Sequence, residues 1–592
     1  MRNIPLSRVT AIGVGLCLAG IMTGLAFSGA HAAPQSNSVR VGLPTDWSHR
    51  HVVFSAPANT QVLANVRQDP RFVHVLRANA LNRSVSRSGQ DGFGAGRTLR
   101  DEIEVSTTGQ QSTRDWSVTL GASGSHIPRS MYPAKYSFDV NLPPDCLNDF
   151  VVFPTFLNGS ATQATLVGYN QLYSTQGGAG GICGNTGPAV KWAYNTGGGI
   201  RSSPSLSEDG KKVAFVARAA GVVHVLTIGT GAGNGTSVTA PAVPGTGNNA
   251  VDTRFRLNGA PTVGSSQLFI DYLDDVAYVG DDAGVLHKIA NIFRGTPAEV
   301  TTGGWPITVN ATVPLTGPVF DSISKNIFVA DGSGRLFYVR EVGSSSGACA
   351  AGAPPCLGAT ILIVSSGSAI ADAPIVDSST GRVFTETAAN GANATVVQAN
   401  TALGDVVTVA VGAQDAARPL HNGDFDNSYL TSPSTGFYYV CGKSAASTNP
   451  RLYRVGFDAA GKMNAAPDAA TLLLARAPAE CSPITEFLNT GSVPAKEWLF
   501  VGVSTRCGGV PTVTGGPGGC VMSFDITTGM PANPRPFAAA AERNGVSGII
   551  IDNVSTAAQA SNIYFSSEGN GPCGDGIATG GCAVKLTQSG LQ

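Results

Sequence analysis

The chain is poor in charge. Only 13% of its 592 residues are Asp, Glu, Lys or Arg, about half the share of an ordinary soluble domain. The formal net charge is −1. Nucleic acid is therefore not an expected partner, because phosphate recognition needs a basic stripe. Cys-x-x-Cys is absent, and with it the common zinc and covalent-haem spacings. Histidine is scarce, with eight residues scattered along the chain, so no Ser-His-Asp triad can be assembled from the sequence. Beyond Phe27 no apolar run is long enough to span a bilayer, so no transmembrane segment is expected in the mature chain. The one Gly-x-Ser-x-Gly string, Gly343 to Gly347, runs into a Gly/Ala/Pro-rich loop. A nucleophile elbow would need a helix there.

What is present is glycine, 74 residues, beside abundant Ala, Ser, Thr and Val and a 42% apolar fraction. This composition favours short strands joined by tight turns, since glycine supplies positive φ at no steric cost. Residues 1–32 read as a secretory leader: Arg2 and Arg8, an apolar run from Ala11 to Phe27, then Ala30-His31-Ala32 as the cleavage site. Cys17 follows Leu16 rather than a small residue, which speaks against lipid attachment. The expectation is an exported protein, periplasmic or extracellular. Removing the leader leaves ten cysteines, an even number in an oxidising compartment. As sequence neighbours they pair as Cys146 with Cys183, Cys349 with Cys356, Cys441 with Cys481, Cys507 with Cys520, and Cys573 with Cys582.

The strongest internal signal is repetition. A small residue and proline open an alternating strand at Ser203-Pro204-Ser205-Leu206, Ala260-Pro261-Thr262-Val263, Gly317-Pro318-Val319-Phe320 and Ala373-Pro374-Ile375-Val376. Weaker copies begin near Ser428, Pro483 and Gly548. Markers 204, 261, 318, 374, 428, 483 and 548 are spaced by 57, 57, 56, 54, 55 and 65 residues. A period in the fifties with Gly turns indicates four-stranded blades. An earlier unit starts at Lys135, which makes eight, or seven if that unit is an insertion. The last unit stops after its third strand, Ala583 to Leu586, and Arg114 to Leu120 alternates like an outer strand. The reading is an all-β, single eight-bladed β-propeller over 113–592, closed by an N-terminal strand that completes the last blade, because an unpaired edge would be exposed otherwise. Residues 33–112 do not repeat, carry nine Arg and no Lys, and read as a partly disordered extension, loosest over the Gly/Ser/Arg-rich stretch Ser84 to Arg97.

The outer strand ending Trp192-Ala193-Tyr194-Asn195-Thr196, followed by Ser203-Pro204-Ser205-Leu206 and Val213-Ala214-Phe215-Val216, resembles the pyrroloquinoline-quinone-type repeat of quinoprotein alcohol dehydrogenase-like propellers. Ser207 to Phe215 is also similar to the Asp-Gly-Lys repeat of translocation-protein-type propellers. The resemblance spans roughly residues 114 to 590 and implies architecture more than function. Quinone-type enzymes of the family place adjacent paired cysteines over the cofactor, and this chain has no two adjacent cysteines. Non-catalytic relatives include an outer-membrane assembly lipoprotein, whose lipid-attachment cysteine is missing here.

Candidate site residues follow from the repeat, because the starts of first strands line a propeller's central channel. Asp372, Asp424 and Asp426 are nearest to it, with Arg201 and Arg256 close by. In His421-Asn422-Gly423-Asp424-Phe425-Asp426-Asn427, oxygen ligands at alternate positions could hold calcium. No Glu closes the twelve-residue calcium loop, so an Asx-rich turn into a strand is the preferred reading, with Asp424 and Asp426 as weak metal candidates. No cofactor is expected, and calcium is the exception left open. Asp281-Asp282 and Asp331-Gly332 read as hairpin turns. His49 and His51 with Asp46 read as one face of a surface strand. The function expected is a secreted or envelope binding scaffold for a protein or glycan, with Thr175 to Gly187 and Gly508 to Cys520 shaping its surface. The alternative is a cofactor- or calcium-dependent enzyme, quinoprotein-like or polysaccharide-active. Four or more charged groups converging in the channel would favour the enzyme, and a lining of backbone and small residues the binder.

Overall fold

Short apolar runs bounded by Gly, Asp and Asn turns fold as antiparallel strands. Each such run buries both faces, so it cannot be stable alone and must stack on a neighbour of the same kind. The computed structural model describes residues 42–57, 59–72, 110–111, 113–139, 142–218, 221–259, 266–341, 354–489, 494–507, 518–531, 536–553, 561–576 and 580–587. The leader, Ser84 to Arg97, Gly343 to Gly347, Cys349 and most of Gly508 to Cys520 lie outside them.

Eight blades form one propeller. Their innermost strands are Ala134–Ser137, Ser205–Leu206, Phe269–Asp271, Val319–Asp321, Ile375–Asp377, Asp424–Phe425, Thr485–Asn489 and Ile550–Asn553. The first blade continues outward through Phe150–Pro154, Leu166–Asn170 and Ala189–Tyr194, and the others repeat that order. In blade 8 the outermost strand is Thr113–Thr119, antiparallel to Cys582–Thr587 with Val118 opposite Ala583. Its Trp116 is fully buried between Tyr169 of blade 1 and Tyr564 of blade 8.

Two starting points differ from the sequence reading. In blade 3 the inner strand is Phe269–Asp271, paired with Val276–Gly280, and Ala260 to Val263 lies outside the described residues. In blade 6 the inner strand is Asp424–Phe425, while Ser428 lies in the short helix Asn427–Thr431 that follows it. A proline is one way to open an inner strand. A feature shared by five blades sits three residues before the strand, where a hydroxyl accepts a backbone N–H from the second strand of its own blade. Ser202 takes Val216, Ser266 takes Gly280, Thr316 takes Ala330, Ser482 takes Gly502, and Ser547 takes Ser566, at 2.7, 2.9, 3.1, 2.8 and 2.9 Å. Each bond satisfies a buried donor where the blade's second strand ends.

Among the described residues, four disulfides join Cys146 to Cys183, Cys441 to Cys481, Cys507 to Cys520 and Cys573 to Cys582. Such a set marks an oxidising environment. Among the described residues no helix is long and apolar enough to cross a membrane.

The segment Leu43 to Ser55 runs along the inner strands. Leu43–Thr45 pairs antiparallel with Ser137–Lys135 of blade 1, and Val52–Val53 pairs in parallel with Val376–Asp377 of blade 5, the blade four places on in the ring of eight. Between them, Trp47–Arg50 forms one helical turn capped by Asp46. The sequence reading of Asp46, His49 and His51 as a surface strand is corrected here: Asp46 is fully buried, and its carboxylate accepts from Ser48, His49, Leu206 and Tyr272. Donors from four residues hold that turn more firmly than two-residue alternation could hold a strand.

Candidate functional site

Call the upper face the one where inner strands begin. The connections entering the inner strands of blades 1, 5, 6, 7 and 8 meet there, and with the turn of blade 8 that carries Glu568 they line a basin of about 500 Å³. Its walls include His126, Arg129, Ala371, His421, Glu480, Asn544 and Glu568. Arg50, His51 and Tyr132, which do not line it, are all acted on by the charges of Asp372 or Asp424.

A chain of ion pairs crosses this face. His421, 5% exposed, bonds Asp372 through Nδ1 at 3.0 Å and Glu480 through Nε2 at 2.9 Å. Glu480 also pairs with Arg129 at 2.8 Å. Arg129 in turn pairs with Glu568 and donates to the Asn544 carbonyl at 2.8 Å. Asp372 accepts the Asn422 backbone N–H at 3.0 Å. Burial alone would lower the His421 pKa, but Asp372 and Glu480 raise it to about 9. Burial would raise Glu480, yet His421 and Arg129 hold it down to about 2.

The pairing of Asp372 with His421 has a structural origin. Both occupy the position three residues before the inner strand, where five other blades carry the bridging Ser or Thr. In blades 5 and 6 that hydroxyl is replaced by an acid and an imidazole, which bond to each other across the blade boundary. The repeat is broken where the basin lies.

A titration prediction follows. His421, with its folded pKa above the unfolded value of about 6.5, contributes stability that is complete below pH 6.5 and lost as pH rises through about 9. Glu480, with its folded pKa depressed, contributes above about pH 4.5 and loses this as pH falls through about 2. Denaturation midpoints measured between pH 6 and 10 should fall in the wild type more steeply than in His421→Gln, and the two curves should converge at the alkaline end.

The residues singled out from sequence are distributed differently. Asp372 is part of the network. Asp424, on the inner strand of blade 6, pairs with Arg50 at 2.7 Å and accepts the Glu486 N–H at 2.9 Å. Asp426 points away from this pair into local backbone, where it caps the helix through Tyr429 N and also accepts Phe437 N, both at 2.9 Å; burial raises its pKa to about 6. Arg201 is exposed and pairs with Asp282 at 3.1 Å. Arg256 ends the outermost strand of blade 2, opposite Val222, and not an inner strand. Asp281 and Asp331 bond their own turns, to Ala283 and Val285 and to Ser333 and Arg335. Among the described residues no group of three or more His, Cys, Asp or Glu side chains is placed to hold a metal ion.

No protein-family model matches this sequence, and no curated protein matches it. Solved structures do. BamB from Moraxella catarrhalis is 11% identical with a TM-score of 0.40, over 81% of this chain and 98% of that one. Sqt1 from Chaetomium thermophilum is 9% identical with a TM-score of 0.46, over 81% and 100%. The same protein was also solved bound to the N-terminus of the ribosomal protein L10, with a TM-score of 0.44 to this chain. These are likenesses of architecture. What sets this chain's chemistry is its own departures from the repeat: Arg129, Glu480 and Glu568 were not visible from the spacing of blades. The available signal was the rarity of charge, since Arg129, Asp372, His421 and Glu480 each stand a few residues before an inner strand in a chain with little charge to place.

Proposed function

We propose that this protein is an exported, periplasmic or extracellular β-propeller that binds a protein or glycan partner on its upper face, at the basin around Arg129, His421, Glu480 and Glu568. The observation that carries this reading is the mutual pairing of the charges of Asp372, His421, Glu480, Arg129 and Glu568. More than four charged groups converge, the condition set for an enzyme. A general base, however, needs a lone pair free to face substrate. Both His421 nitrogens already bond carboxylates, and Arg129 lies between two acids; His126, whose pKa is lowered by burial and by Arg129, is the wall residue whose Nδ1 has no hydrogen-bond partner. Groups so paired fix the loops and present a preset pattern of donors and acceptors, as a recognition surface does. The second reading is a cofactor- or calcium-dependent enzyme, and the convergence itself favours it; it requires one of these pairs to open for substrate or His126 to serve as the base.

Affinity capture from the exported fraction distinguishes them, using the full chain and the double variant Arg129→Ala/Glu568→Ala. A partner held by the wild type and lost by the variant, with unchanged circular dichroism, supports recognition at the basin. A partner held equally by both places recognition elsewhere and contradicts it.

A further inference from the structure

We infer that the centre of this propeller is a peptide-recognition site whose resident ligand is the chain's own segment Leu43 to Ser55. A residue can reach inner strands all around a ring only from its middle, and this segment does so within thirteen positions. It pairs with blade 1 through Leu43–Thr45 and blade 5 through Val52–Val53. Asp46 accepts Leu206 N of blade 2 and Tyr272 Oη beside the inner strand of blade 3, each at 3.0 Å. The Trp47 ring lies on Gly317 before the inner strand of blade 4, where a Cβ would come within 2.7 Å of it. Arg50 pairs with Asp424 of blade 6 and donates to the Ile484 carbonyl before the inner strand of blade 7, at 2.7 and 2.9 Å. Its guanidinium also stands 5.4 Å over Tyr132, which Gly548 backs from blade 8.

The contacts have the form of recognition and not of filling. Strand addition supplies main-chain bonds at both ends: Val376 and Ser378 donate to the His51 and Val53 carbonyls at 2.9 and 3.0 Å. Between them the helical turn sends an anion, an indole and a guanidinium to different blades, side-chain contacts that add selectivity to the main-chain bonds of strand addition. Ser55 completes the set, its hydroxyl donating to Asp377 at 2.6 Å. The segment ascends along blade 1, turns and descends along blade 5, so both of its ends leave by the lower face. A ligand suited to this site is a peptide whose two ends add as strands around one helical turn, with an acidic residue and tryptophan followed at three residues by arginine. This inference does not depend on recognition at the upper basin.

The test uses the full chain and a fluorescent synthetic peptide of residues 42–57 as probe. The host is Trp47→Ala/Arg50→Ala, whose own segment is weakened at its two largest contacts. Anisotropy should show saturable binding to this host and at least about tenfold weaker apparent binding to wild type, where the resident segment competes. Adding Asp424→Ala to the host should weaken binding of the peptide, and a scrambled peptide should not bind. Equal binding to both proteins, or to neither, overturns the inference. If the double variant does not fold, Arg50→Gln serves as the host with the same criteria.

Discussion

Asp115→Ala should lower the stability of the protein by about 3–5 kcal/mol, the effect of stranding a buried charge without its partner. Lys585 and Asp115 lie 3.0 Å apart with 0% and 1% of their side chains exposed. They join the third strand of blade 8 to its outermost strand, Thr113–Thr119, which comes from the other end of the propeller sequence. Burial pushes the Asp115 carboxyl up and the Lys585 ammonium down, while each opposes the shift of the other. Removing one carboxylate therefore takes from a buried ammonium its ion-pair partner in the blade that completes the ring. Urea unfolding of Asp115→Ala beside the double variant Asp115→Leu/Lys585→Met checks this. The double change should recover most of the loss, because a buried pair replaced by packed apolar groups is often neutral. A single variant within 1 kcal/mol of wild type would show that this strand does not hold the ring closed.

Trp47→Ala should be comparably severe, at about 3–5 kcal/mol for a fully enclosed aromatic. Trp47 is 2% exposed and belongs to one core with Phe269, Val319, Val376 and Ile550, residues of blades 3, 4, 5 and 8. The vacancy would open between blades instead of inside one. Hydrogen exchange should then accelerate at the inner strands of several blades together, Val319–Asp321 and Ile375–Asp377 among them, while the outermost strands keep their protection. Exchange confined to residues 43–55 would mean that the segment is a passenger.

The blades were legible because their signal is local. Each strand is an apolar run of a few residues, and a Gly or Asp turn fixes where it ends, as at Asp281 and Asp331. The starts of blades 3 and 6 were misplaced for a related reason. Proline at position 261 imitates an opening that the structure builds at Ser266, and the hydroxyl bridge is invisible until its N–H partner is known. The segment from Leu43 to Ser55 was the hardest to read. Its partners lie up to 434 residues away, as with Arg50 and Ile484, and an alternating His-x-His suggests a strand until Asp46 is seen to cap a helix. The acid at 372 and imidazole at 421 were each noticed, but for calcium or channel chemistry. Their bond to each other depends on two blades being adjacent, which periodicity gives, and on both standing at the same repeat position, which only the placed strands reveal.

The central claim, a cofactor-free propeller that recognises a partner, is tested most directly by native mass spectrometry of the protein from its own exported fraction, before and after EDTA. The expected result is one mass, that of the chain from Ala33 onward less ten hydrogens for five disulfides, unchanged by the chelator. A quinone-sized addition, or mass lost on chelation, would contradict it and return attention to Asp372, Asp424 and Asp426 as ligands.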